Sequence, residues 1–171
     1  SATTLTKVRG GILPAVTWGF SNYAYKEGFD NWINAARNVA FTVPAFVALD
    51  NLTAVHFEAA GVAVILGLDS RCESALASAA ALAQQVAAPG VLYLKGIMTR
   101  KLLDSGLRVI FSEMDVFWLA DPLLIEDESV DVQPMQQGYA DGGLNSGFWI
   151  AQPTRGARRL FERIHTWASS S

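Results

Sequence analysis

The stretch Arg108 to Pro122 reads RVIFSEMDVFWLADP, and the fold turns on how it is read. A short apolar run, Val109-Ile110-Phe111, leads into Ser112-Glu113-Met114-Asp115, and a second, Val116-Phe117-Trp118-Leu119, carries on to Asp121-Pro122. β-Branched and aromatic residues bounded by turn formers predict a buried strand of an α/β sheet. Two carboxylates where such a strand runs out need a physical reason, because an unpaired buried charge is costly. If the backbone stays extended, Glu113 and Asp115 lie two apart and face the same way. They would then grip a divalent cation whose other oxygens come from a phosphate-bearing ligand. The competing reading is local. Ser112-x-x-Asp115 also fits a capping box, with Ser112 starting a helix and both acids in its first turn. Spacing alone leaves the two open.

Upstream of this stretch the chain alternates strands and helices. Ile12 to Phe20 predicts a first strand, and Asn22 can cap a helix over Ala24 to Val39, where Phe29, Trp32, Ile33, Ala36 and Val39 recur at helical steps. After Pro44, the apolar run Ala45 to Leu49 predicts a second strand ending in Asp50-Asn51. Asn51 is the expected cap of a helix over Leu52 to Ala60, closed by Gly61, before a third strand over Val62 to Leu66. A turn over Gly67 to Arg71, a helix from about Glu73 to Ala88, a stop at Pro89-Gly90 and a helix over Val91 to Leu103 deliver the chain to Arg108. Beyond Pro122 come an acidic loop at Glu126-Asp127-Glu128, a short strand over Val130 to Met135 and a glycine-rich polar segment from Gln136 to Asn145. A strand at Phe148 to Ala151 and an amphipathic helix over Arg155 to Trp167 close the chain. Short connections between continuous apolar strands are the mark of βαβ units in a mostly parallel sheet, buried on both faces. The expected class is therefore α/β, a Rossmann-like, mostly parallel sheet flanked by helices, with residues 1–171 forming one domain.

Composition narrows the function. The 171 residues are 51% hydrophobic and 17% charged, with a net charge of -3, which suits one globular domain with a sizeable core. Mild acidity argues against a nucleic-acid partner, which calls for a basic patch. The arginines between Arg155 and Arg163 fall at helical spacing and read as a solvated face, with an anionic partner as the other reading. The single cysteine, Cys72, excludes an internal disulfide and a Cys-rich zinc site, and two histidines, His56 and His165, argue against a His-based metal cluster. The uncharged run Ser74 to Leu94 is broken by Gln84-Gln85 and Pro89-Gly90, so no membrane segment is expected in this chain. It opens on Ser1 and ends on three serines, and is expected to be a C-terminally truncated excerpt of a longer protein.

In open α/β sheets, ligands bind outside the carboxyl ends of the strands. Thr17, Asn22, Asp50, Asp69 and the Glu113/Asp115 pair all fall at or near such ends in this reading. A polar rim of this kind suits a nucleotide phosphate held through Mg²⁺ or Mn²⁺. Each residue also has a plainer reading: Asn22 and Asp50 as caps or turn formers, Asp69-Ser70 as loop shapers.

VIFSEMDVFWLADP, Val109 to Pro122, resembles the core signature of the nucleotide-diphospho-sugar transferase domain of plant and algal glycosyltransferases, relatives of the arabinosyl- and xylosyltransferases. Leu144-Asn145-Ser146-Gly147-Phe148, then Pro153-Thr154 and a helix ending at Trp167, is similar to the family's second block. The resemblance covers nearly the whole chain. It implies a GT-A fold, a nucleotide-diphospho-sugar donor, a divalent metal (usually Mn²⁺), retention of anomeric configuration, and work in the Golgi lumen on a membrane-anchored parent. The implied acceptor is a glycan or a hydroxyproline-rich protein. The resemblance makes Glu113 and Asp115 the motif acids, with Asp115 on the metal and Glu113 on the metal or the donor ribose, and puts Asn145 beside the donor sugar. Thr17, Asn22 and Asp50 are candidates for the nucleotide by position alone. Trp118 and Trp149 read as core residues, with sugar stacking as the other reading. Lys95 and Arg100 read as a solvated helix face, with phosphate contact as the alternative.

The chain departs from that pattern at Glu113, where the family has Asp, so the carboxylate reaches one methylene further. A dehalogenase-type phosphatase would need a nucleophilic Asp at this position and is disfavoured. A degenerate, non-catalytic transferase module that binds glycan or scaffolds a complex is the alternative function.

Overall fold

The structure is a computed structural model and describes residues 5–8, 11–39, 43–65, 89–136 and 143–169. Its sheet is built from β2 (Gly11–Ser21), β3 (Val43–Ala48), β4 (Ala63–Ile65), β5 (Arg108–Ser112), β6 (Val132–Gln136) and β7 (Leu144–Ala151), in the order β4-β3-β2-β5-β7-β6. A short β1 (Leu5–Val8) forms an antiparallel hairpin with β2. The pairs β2/β3, β3/β4 and β2/β5 are parallel, whereas β7 runs antiparallel to both β5 and β6. The expected mostly parallel α/β sheet is what the chain forms.

Helix α1 (Lys26–Val39) links β2 to β3, and α2 (Asn51–Ala59) links β3 to β4. Their apolar stripes pack on one face of the sheet, where Phe29, Trp32, Ile33 and Phe57 meet Phe46, Ile110 and Ile150. Helices α3 (Pro89–Asp104) and α4 (Arg155–Ser169) cover the other face, where Leu94, Met98 and Phe161 meet Trp18, Phe111 and Trp149. Every residue of β5 is buried. Ile110 joins the α1/α2 core while Val109 and Phe111 join the α3/α4 core, the two-residue alternation of a strand covered on both sides.

Several expected boundaries shift. Helix α3 begins at Pro89, two residues before the expected Val91; a first-turn proline forfeits only an N–H that has no helical partner. Strand β7 starts at Leu144, four residues before the expected Phe148, because pairing of Leu144 and Asn145 with β6 holds the polar segment extended. Asp50, not Asn51, caps α2. Gly61 and Gly106 take φ of 68° and 77° just past α2 and α3, as expected of helix-ending glycines. The predicted helix over 73–88, Cys72, the Asp69-Ser70 turn and residues 137–142 of the glycine-rich segment lie outside the described residues. No described helix is long and apolar enough to cross a membrane.

Near the closing helix, Arg158 is half-buried and donates to the Leu103 carbonyl at 2.8 Å, while Arg100 pairs with Asp104 and Glu162. Arg158 and Arg100 therefore fasten α4 to α3. Arg155, Arg159 and Arg163 stay exposed, as a solvated face requires.

Candidate active site

Strands β3, β2 and β5 end side by side, with Ser21 opposite Ala48 and Trp18 opposite Phe111. Residues just past those ends share one rim, and β7 enters the same rim from its Leu144 end.

At the β5 end the extended backbone stops at Ser112, and Met114-Asp115 form a turn closed by Val116 N–H donating to the Glu113 carbonyl at 3.3 Å. The expectation that Glu113 and Asp115 share one face by strand alternation is not met, because no strand runs through them. The capping-box reading also falls. No helix follows Ser112, and its hydroxyl accepts from the Trp32 indole N–H at 2.9 Å and the Trp118 indole N–H at 3.1 Å.

Glu113 continues the alternation by one residue and points to the α3 side. Its Oε1 lies 2.5 Å from Lys95 Nζ, which also donates to the Ser146 carbonyl at 3.0 Å. Lys95 is 3% exposed and its ammonium lies 5.1 Å from the Phe111 ring centroid. A solvated helix face is therefore wrong for Lys95. Leu94, Gly96 and Met98, its neighbours in α3, are buried with it, so the lone cation in Leu92 to Met98 was the available signal. Arg100 serves helix packing.

Asn145 comes to the same place. Its Oδ1 accepts from Gly147 N–H at 2.5 Å, and Gly147 O accepts from Glu113 N–H at 2.8 Å. A β-carbon on Gly147 would lie 2.6 Å from Glu113 Oε2 and 2.8 Å from Asn145 Oδ1. Only glycine lets the acid and the amide approach each other here. Beside them a cavity of about 410 Å³ opens between α3, α4 and β7, lined by Leu92, Lys95, Asn145, Ser146, Trp149 and Phe161. Trp149 stacks on Phe111 with centroids 4.1 Å apart, and Trp118 packs edge-on to Trp32, so both tryptophans are core residues.

Asn22 and Asp50 meet at the ends of β2 and β3. Asn22 Oδ1 accepts from Ala24 N–H, Asp50 Oδ2 from Tyr23 N–H at 2.9 Å, and Asp50 Oδ1 from both Thr53 N–H and Thr53 Oγ1. Their capping roles are thus real, and they hold the two residues together at the rim. Burial opposes the charge on Asp50, but hydrogen bonds from Thr53 and Tyr23 outweigh it and keep the carboxyl below its ordinary 3.8. A carboxyl depressed in the folded state stabilises above its unfolded pKa, and that contribution is lost as pH falls through the folded value. Asp50→Ala should accordingly cost about 1 kcal/mol at pH 7. Urea denaturation should show the gap to wild type closing below pH 3.8.

Thr17 does not reach the rim. It sits within β2, four residues before the strand ends, and is 1% exposed among Trp32, Pro44 and Trp118.

The two acids differ in what they offer a divalent cation. Asp115 is exposed on its turn and makes no hydrogen bond or ion pair among the described residues. Glu113 offers Oε2, its other oxygen being held by Lys95. Among the described residues no group of three or more Asp, Glu, His or Cys is placed to hold a metal ion. One open carboxylate plus half of another fits a cation shared with a ligand's phosphates, since Mg²⁺-type sites commonly take one or two carboxylates and complete themselves with phosphate and water. It does not fit an all-protein cage.

Known proteins share this fold. The apo form of the glycosyltransferase GlyE of Streptococcus pneumoniae TIGR4 superposes with a TM-score of 0.57 at 10% identity, covering 92% of this chain and 39% of GlyE. A second GlyE structure gives 0.56 and 10%, covering 93% and 39%. The chain thus spans about two fifths of the length of these structures, and at that identity the likeness is one of fold, a GT-A-like α/β architecture. No curated protein matches the sequence significantly. Residues 42–171 match the model of the nucleotide-diphospho-sugar transferases. That span contains β5, the acid turn, β7 and α4, and the chain belongs to the nucleotide-diphospho-sugar transferase family of glycosyltransferases.

Proposed function

We propose that the chain moves a pentose or hexose from a nucleotide-diphospho-sugar, bound across the carboxyl rim with a divalent cation, to a glycan or hydroxyproline-rich protein acceptor. The supporting observation is the open Asp115 beside a Glu113 whose charge is matched by buried Lys95. A rim that carries one free carboxylate and one fixed ammonium suits a cation–diphosphate pair better than either ion alone. Asp115 and the second oxygen of Glu113 would hold Mn²⁺, or Mg²⁺ in its place, with Glu113 on a donor ribose hydroxyl as the alternative. When bound, the cation supplies electrostatic stabilisation to the departing nucleoside diphosphate. Lys95 adds fixed positive charge on the same side. Asn145 borders the donor sugar, and Asn22 with Asp50 flanks the nucleoside. No protein base is assigned, which agrees with a retaining reaction in which the acceptor attacks on the leaving-group side. Golgi membrane location, lumenal side, rests on the family resemblance.

Titration calorimetry with UDP and GDP, with and without Mn²⁺, tests this reading. Micromolar, Mn²⁺-dependent binding is expected, weakened at least about tenfold by Asp115→Ala, the loss of about 1.4 kcal/mol. Binding indifferent to Mn²⁺ would remove the cation from the scheme. No nucleotide binding by the folded chain would leave a non-catalytic module that binds glycan or scaffolds a complex.

A further inference from the structure

The Ser112 hydroxyl has one proton and two lone pairs, and the structure uses all three. It donates to the Glu113 carbonyl at 3.1 Å and accepts from the indole N–H groups of Trp32 and Trp118. The residue is fully buried. Trp32 belongs to α1, eighty positions away, and Trp118 lies six positions on, just beyond the acid turn. The two indoles cross edge to face, with centroids 5.4 Å apart and planes at 76°. Trp118 also meets Phe148 of β7, the residue paired with Ser112 across the strands.

This geometry closes the segment Glu113 to Val116 at both ends. Its start is fixed by β5 and by Glu113 N–H on Gly147, and its end by Trp118 folding back onto the residue where the segment began. We infer that Ser112 is a positioning residue for the acid turn, its hydroxyl setting where Asp115 stands without itself touching the ligand. The inference rests on the donor reading above, and it deepens that reading by naming what holds the metal-binding carboxylate still.

The hydroxyl has no cheap substitute. Without it, two buried indole N–H groups lose their acceptor, and the turn gains the freedom to open away from β5. Ser112→Ala should therefore weaken Mn²⁺-dependent UDP or GDP binding by tenfold or more. Trp118→Phe, which keeps the ring and removes the donor, should weaken it at least threefold, and it serves if Ser112→Ala does not fold. Phe57→Leu is the comparison, a packing change in the same core cluster whose ring meets Phe29 and Phe46. It should lose a comparable amount of Tm and keep its nucleotide affinity. Amide and indole ¹H–¹⁵N spectra give an independent readout. Signals from Glu113 to Trp118 should move or broaden in Ser112→Ala and Trp118→Phe but stay in place in Phe57→Leu, and Ser112→Thr should return them toward wild type.

Affinities that follow Tm alike in all three variants would overturn the inference. So would an acid-turn spectrum unmoved by loss of the hydroxyl. If wild type binds no nucleotide, the donor reading fails by itself, and the spectra still decide whether Ser112 orders the turn.

Discussion

Arg108→Met is expected to lower stability at pH 7 by about 3–5 kcal/mol, because it strands a carboxylate in the protein interior. Arg108 opens β5 and pairs through Nη1 with Glu126, and their side chains are 1% and 4% exposed. Gln152 Nε2 also donates to Glu126. Burial pushes the Glu126 carboxyl above its ordinary 4.5, against the pull of Arg108 and Gln152. A carboxyl raised in the folded state gives its full stabilisation below the unfolded value and loses it as pH rises through the folded one. Deleting the guanidinium removes one downward pull, so the penalty of the variant should be greatest at neutral pH and shrink on acidification. The pair is still no net asset. Among the described residues Arg108 Nε and Nη2 are buried without a hydrogen-bond partner, an expense the wild type carries. Arg108→Met with Glu126→Leu should therefore recover most of the loss. Urea melts of the three proteins at pH 7 and pH 5 check the argument. A single variant as stable as wild type at pH 7 would mean that water reaches Glu126.

The pair also explains why its strand and loop belong together. It ties the entry of β5 to the end of the segment that carries the acids, so the two ends of Arg108 to Glu126 are held in one place. In the sequence, Glu126 sits in a run of three acids and reads as a solvated loop. Asp127 and Glu128 do face water, but Glu126 turns inward, because its partner is eighteen residues upstream. Local composition contains nothing about that partner.

The same division runs through the molecule. Strands and helices whose apolar residues repeat at two or at three to four were legible, since burial imposes those periods and β2, α1, β3, α2, β5 and α4 obey them. The rim was legible because turn formers follow the strands that end there. What escaped depended on contacts distant in sequence. Lys95 looks like a solvent-facing cation until Glu113 and Ser146 are brought beside it. Ser112-x-x-Asp115 looks like a cap until two tryptophans claim the serine. Leu144 to Gly147 looks like loop until β6 supplies a pairing partner. Thr17 is grouped with the rim in the sequence reading although the expected strand already runs on to Phe20, and β2 carries on to Ser21 with Thr17 inside it.

Lys95→Met should reveal how far that buried cation serves the site. Methionine has nearly the length of lysine and no charge, so it keeps the contacts with Phe111 and Trp149 while removing the donor to Glu113 and Ser146. Glu113 is about one third exposed, at 35%, so water can take over part of the lost solvation. The stability cost should stay near 1–2 kcal/mol, below that of an interior pair. Nucleotide binding should suffer more. The rim then presents two carboxylates to a diphosphate with no fixed counter-charge, and charge-assisted hydrogen bonds of about 1.5–3 kcal/mol are lost or turned repulsive. Calorimetry should show affinity for UDP or GDP falling about tenfold to a hundredfold, most steeply when Mn²⁺ is withheld. Lys101→Met, on an exposed face of the same helix, should leave affinity close to wild type. Lys95→Arg should not restore binding, because the larger planar group has to enter a site that is 3% exposed. If Lys95→Met instead binds Mn²⁺ and nucleotide more tightly, the ammonium competes with the metal for Glu113. Two opposite signs for one substitution thus separate a cation that assists the diphosphate from one that occupies the metal's ligand.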